Sequence, residues 1–345
     1  MKRTLTYLLL LLTAVSTAFS QVKEGESALV YYMPLRQLVF EIDYEQVTLS
    51  RGIFYQYSER YLGSKDAVLQ DEVFYRINSV NLRTRTLADT SRVYTMPLNQ
   101  KTLANCAVVL NEKGIIECVN LEKTPAPKSK SVTQPKRTPS KEQPSVMPLL
   151  EEQMLSGSIS KMAETTAKQI YTIRENRLNL LAGDVEHAPA DGTAMQLVLQ
   201  EMNKQEAALT ALFMGSRETK HLTKTIALIP YAGITDSVLF RFSKHEGVVD
   251  SDDLSGEPYT LNLTAHLKQY SSSQEADKQP AASYIYQNIP GSADITLTGG
   301  NRTLVEKTLP VPQFGIATPL AADLFAKRAT QLRFDTMTGA ILEIK

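Results

Sequence analysis

The chain has no tryptophan, two cysteines and four histidines in 345 residues, and each shortage closes off a class of chemistry. With Cys106 and Cys118 as the one cysteine pair and no Cys-x-x-Cys, neither a zinc site nor a thioredoxin-type site is expected on these residues. His187, His221, His245 and His266 stand more than twenty residues apart and form no His-Glu-x-x-His or similar ligand pair. The chain also lacks a Gly-x-Ser-x-Gly elbow and both glycine-rich phosphate signatures, Gly-x-x-x-x-Gly-Lys and Gly-x-Gly-x-x-Gly. No cofactor and no metal is therefore expected. Lys plus Arg (37) equals Asp plus Glu (37), so no net charge draws the chain toward nucleic acid or an anionic membrane. Nor does any stretch reach the roughly twenty apolar residues that a transmembrane segment needs.

What is present begins with a leader over residues 1–20. Lys2 and Arg3 supply a charged start, Tyr7 to Leu12 an apolar core, and Ala18 and Ser20 small residues before a cut ahead of Gln21. The mature chain is expected to be exported, either periplasmic or secreted. No cysteine follows the leader, so a lipoprotein-type lipid has no acceptor.

Beyond the leader, the pattern predicts an α+β fold, predominantly antiparallel β with a central two-helix hairpin. Residues 21–123 read as an N-terminal β-rich region. Ala28 to Thr48 is dense in β-formers, with Pro34 placing part of it near an edge. Gly52 to Leu62 carries Phe54, Tyr57 and Tyr61 at helical spacing, with Gly63 to close it, and Glu72 to Thr86 alternates as a strand. Cys106 to Val119 reads as a hairpin turning through Asn111-Glu112-Lys113-Gly114. A type I turn plus bulge there pairs Val108 with Cys118, which leaves the sulfurs diagonally displaced. A Cys106–Cys118 disulfide then needs a shifted register, and both a disulfide and two buried thiols stay open.

Residues 124–148 hold six prolines and five basic residues against one acidic, the composition of an extended linker. Residues 149–222 are the helical hairpin. In its first helix Ile159, Met162, Ala163, Ala167, Ile170, Ile173, Leu178 and Leu181 step by three and four, with Ser158 to cap and Gly183 to end it. The second is expected to start on a Thr193–Gln196 capping box, to carry Met195, Val198, Leu199, Met202, Leu209, Leu212 and Phe213, and to stop at Gly215. Residues 223–345 form a C-terminal β-rich region ending in a hairpin around Asp335 to Gly339. The two β regions either close one continuous sheet system or form separate domains.

The order of elements also suggests an internal duplication. Met33-Pro34, a short helix and the Gly114 hairpin in the first half are matched by Ile289-Pro290, a helical Pro319 to Phe325 and the Gly339 hairpin in the second.

Candidate chemistry rests on one acidic cluster, Asp250, Asp252, Asp253 and Glu257, which is suited to acid–base roles or an oxygen-ligated cation. Leu254 and Ser255 break the calcium-loop template, so a solvated acidic turn is the plainer reading. Fifteen tyrosines offer a sugar-stacking surface, but at strand spacing they read more simply as half-buried sheet.

The runs Tyr31-Tyr32-Met33-Pro34, Gln56-Tyr57-Ser58-Glu59-Arg60-Tyr61-Leu62-Gly63, Leu239-Phe240-Arg241-Phe242-Ser243, Asp253-Leu254-Ser255-Gly256-Glu257-Pro258, Gln313-Phe314-Gly315 and Thr338-Gly339-Ala340 together resemble a family of exported Bacteroidetes proteins of unknown function. The resemblance spans most of the mature chain and implies a cell-envelope or secreted setting. The expected role is a non-catalytic envelope protein, binding or structural, whose partner is an envelope protein or polymer. The alternative is a hydrolase of an envelope or dietary polymer using the acidic cluster.

Overall fold

The computed structural model describes residues 28–97, 106–121, 157–184, 191–269, 285–320, 322–325 and 330–345. The expected leader, the Pro-rich linker and His187 lie outside them. In chain order the elements are β1 (Ala28–Ser50), a 3-10 turn (Tyr55–Tyr57), α1 (Ser58–Leu62), β2 (Glu72–Pro97), β3 (Val108–Leu110) and β4 (Ile116–Val119). Then come α2 (Ile159–Ala182), α3 (Gly192–Met214), β5 (Ser216–Leu228), β6 (Ser237–Ser243), β7 (Gly247–Val249) and β8 (Glu257–His266). The chain closes with β9 (Ile285–Gly299), β10 (Arg302–Leu320), β11 (Leu332–Phe334) and β12 (Ile341–Ile344). The fold is α+β, and its sheets are antiparallel, ordered β2-β1-β5, β10-β9-β8-β6-β7 and β12-β11-β4-β3.

Alternation decides which side of each strand is buried. Leu38, Phe40 and Ile42 of β1 face Leu261, Leu263, Ala293, Ile295 and Leu297 of β8 and β9 in one apolar core. A second cluster joins Tyr31, Met33 and Met96 to Ile116, Val119, Leu332 and Phe334. Both cores draw on strands from before and after the helices, so each is shared between the two β regions. Pro34 sits where β1 has lost a neighbour, because β5 pairs with β1 only from Leu38 onward. On that open side the Gln313 side chain stands in for a strand: its Oε1 accepts from the Arg36 N–H at 3.1 Å and its Nε2 donates to the Arg36 carbonyl at 2.9 Å.

The helices form as their pattern requires, with two corrections. Ser158 accepts from the Lys161 N–H, and Gly183 closes α2 in the left-handed region. The second helix is capped by Asp191, which accepts from the Ala194 N–H, and not by Thr193. A carboxylate one residue ahead of the helix satisfies that N–H and also complements the helix dipole. The apolar stripe is buried beside the segment Phe54 to Leu62: Ala163, Ala167, Ile170, Ile173, Leu209 and Phe213 pack on Phe54, Tyr57 and Tyr61, while Ile159, Leu178, Leu181 and Val198 are exposed. The short 3-10 turn and α1 cover only part of the hairpin. Arg174 and Arg177 on α2 both pair with Glu206 on α3 and hold the hairpin together.

The second half repeats the first in strand order and register. In the long hairpin β1–β2, Tyr32 pairs with Val93 but Met33 with Asp89, so three residues, Thr90 to Arg92, bulge from β2. In β9–β10, Ile289 pairs with Ile316 but Gly291 with Val311, so residues 312–315 stand against Pro290 alone, again three more on the second strand. The short hairpins match pair for pair. Val108–Val119, Val109–Cys118 and Leu110–Ile116 recur as Leu332–Ile344, Arg333–Glu343 and Phe334–Ile341, with Glu117 and Leu342 skipped at the same place. In each half the turn glycine, Gly114 (φ 73°) or Gly339 (φ 76°), accepts from a backbone N–H of the long hairpin, that of Tyr32 or Asn288. The short helices do not correspond: the first lies between β1 and β2, whereas Ala322–Phe325 follows β10.

Candidate functional site

The acidic cluster is divided between two places. Asp250, Asp252 and Asp253 sit on the loop after β7, where they line an open depression of about 420 Å³ with Lys224 and Val248. Lys224 Nζ lies 3.5 Å from Asp250 Oδ1 and donates to the Val248 carbonyl. Asp253 Oδ1 accepts from the Ser255 N–H at 2.9 Å, which holds its carboxyl below the usual carboxylate range. Arg241 pins the loop from below through the Ser251 and Gly256 carbonyls. This is the geometry of a solvated acidic turn. Among the described residues, no group of three or more His, Cys, Asp or Glu is placed to hold a metal ion.

Glu257 is elsewhere. It opens β8 and lines a second shallow depression, of about 510 Å³, with Thr260, Thr298, Gly300, Arg302 and Thr303. That depression is one end of a larger feature, the outward face of β8, β9 and β10. Pairing sets its side chains in four rows: Thr260–Thr298–Thr303, Asn262–Thr296–Glu306, Thr264–Asp294–Thr308 and His266–Ser292–Pro310. With about 3.4 Å per residue, the four rows span about 20 Å. Seven of the twelve side chains are Ser or Thr, and none is Lys, Arg, Phe or Tyr.

This face also carries a linkage that local sequence patterns miss. His266 Nε2 lies 2.7 Å from Asp294 Oδ2, and the Thr308 hydroxyl donates to Asp294 Oδ1 at 2.6 Å. The Thr308 bond, then the His266 bond, holds the Asp294 carboxyl below its usual range. The three residues come from three strands, so the only sequence signal was their shared outward phase. His221 is likewise drawn to a carboxylate, with Nδ1 3.9 Å from Oε2 of the buried Glu45.

The cysteines are not joined by a disulfide. The turn closes as expected, with Leu110 opposite Ile116, but Glu117 then bulges and sets Val109, not Val108, opposite Cys118. The bulge leaves Cys106 three positions along β3 from the residue facing Cys118, hence on the other face of the ladder. Burial raises the pKa of the Cys106 thiol. Among the described residues, several tyrosines pack on one another: Tyr94 stacks on Tyr31 and on Tyr286, with centroids 5.7 and 4.4 Å apart.

No helix of the described residues is long and apolar enough to cross a membrane. No curated protein and no solved structure matches the chain. A family model does match, over residues 27–342. By that match, which takes in β1 to β11 and the start of β12, the chain belongs to the family described as domain of unknown function DUF4831.

Proposed function

We propose that this is a non-catalytic, exported protein of a bacterial cell envelope that binds a surface polymer through the outward face of β8–β10. The leader at residues 1–20 and the resemblance to exported Bacteroidetes proteins support the setting. The row pattern on that face carries the reading: an array of hydroxyl, amide and carboxylate groups about 20 Å long, with Arg302 beside one end and the His266 imidazole at the other, suits a neutral polyhydroxylated chain lying along the strands. The dispersal of the four carboxylates supports binding over hydrolysis, because Glu257 shares no depression with the three loop aspartates.

The test uses the mature chain and a neutral polysaccharide purified from a Bacteroidetes envelope. Thr264→Arg with Thr296→Arg is expected to abolish co-sedimentation, since two long guanidinium side chains beside Asp294 and Glu306 would cover the central rows of the face. Replacing Asp250, Asp252 and Asp253 by Ala is expected to leave co-sedimentation intact. Release of new reducing ends by the wild type, lost in the aspartate variant, would establish the hydrolase reading instead.

A further inference from the structure

We infer that copies of this protein assemble head to tail, with β12 of one copy taking up β3 of the next. Inside the chain the two short hairpins already join in this way: β4 lies against β11, with Val119 opposite Leu332 and Cys118 opposite Arg333. Because β11 repeats β3 and β12 repeats β4, one more such step sets Val108 of a second copy opposite Ile344, and Val109 opposite Glu343.

The two halves differ as an unfinished repeat should. Val119 is 0% exposed because β11 lies beside it, whereas its counterpart Ile344 is 63% exposed and the adjoining Leu342 is 65% exposed. Gln331 and Lys345 exchange both backbone hydrogen bonds at 2.9 Å. By antiparallel alternation, Ile344 then turns its N–H and C=O away from β11 toward an edge that no described strand occupies. On β3, the Ala107 carbonyl accepts from the Asn120 N–H at 2.7 Å, so Val108 likewise turns its backbone groups away from β4. A strand edge with outward backbone groups and apolar side chains is a template for another strand. Glu343 meets no like charge at this joint, since Val109 falls opposite it. The edge given and the edge received are different surfaces, so the contact is heterologous and any pair keeps one free edge of each kind, to which further copies add. This inference is independent of the polymer-binding reading.

Sedimentation velocity of the mature chain at rising concentration is expected to show dimers and then larger species. Ile344→Pro removes the outward N–H without touching a bond to β11, and Val108→Pro does the same on β3. Each variant alone is expected to stay monomeric while keeping the wild-type circular dichroism. Mixed in equal amounts, the two are expected to form a 1:1 heterodimer that grows no further, because each keeps the edge that the other has lost. Should either proline perturb the fold, Ile344→Lys and Val108→Lys replace them with the same expectations. A wild type that is monomeric up to its solubility limit, a closed dimer that does not grow, variants that associate as the wild type does, or a mixture that stays monomeric would each overturn the inference.

Discussion

Arg92 Nε lies 2.7 Å from Asp89 Oδ2, and the same guanidinium donates to the Pro34 and Pro312 carbonyls, so one side chain ties the bulge of the first long hairpin to the second. Arg92→Ala leaves Asp89 buried without its cation and is expected to cost about 3 kcal/mol in urea unfolding. Arg92→Lys should recover only part, because a single ammonium does not reproduce the guanidinium fork. Burial by itself would raise the Asp89 pKa, but the Ser91 hydrogen bonds and Arg92 bring it below the ordinary value. A lowered folded pKa means that this stabilisation is complete above the unfolded carboxylate pKa, about 4, and is lost as pH falls through the folded value. The Arg92→Ala deficit should therefore shrink in acid, and a deficit constant down to pH 2 would count against this pairing.

Gly52 is where the helical hairpin meets β1. A Cβ there would stand 2.2 Å from the Leu212 carbonyl oxygen, beside the bond from the Phe54 N–H to that oxygen. Gly52→Ala is expected to cost about 1–3 kcal/mol by forcing backbone apart. Hydrogen exchange should quicken at Phe54 before it does in β8 or β9; uniform quickening would place the strain elsewhere.

On the outward face, the Thr308 hydroxyl is the largest single cause of the lowered Asp294 pKa, and His266 adds both a hydrogen bond and its charge. Carboxyl carbon NMR should show the Asp294 midpoint rising toward the usual range in Thr308→Val and in His266→Ala. A midpoint that stays in place in either variant would remove that partner from the linkage.

Unfolding without reductant should expose two alkylatable thiols, Cys106 and Cys118. In the native state Cys106, half-buried and with a raised pKa, should react slowly, and buried Cys118 should not react. Resistance of both to alkylation in denaturant without reductant would reinstate the disulfide.

The amino-acid sequence by itself determined what depends on neighbours a few residues apart. Ser158, Gly183 and Gly63 ended helices where their backbone preferences put them, and Gly114 and Gly339 turned hairpins at positive φ. Alternation likewise placed Leu38, Phe40 and Ile42 inside, and the spacing of Pro34 and Pro290 marked the repeated halves. Tertiary structure alone decided the rest. The Glu117 bulge, which separates the cysteines, is set by the register in which β3 and β4 pair and recurs at Leu342 of β12, and no local pattern marks the skipped residue. His266 finds Asp294 because β8 and β9 pair in one register, and strand partners are chosen by cores assembled from the whole chain. The same holds for the helix stripe: an apolar period states that a face prefers cover, while the reach of the covering element decides whether Ile170 is buried and Leu181 left in water.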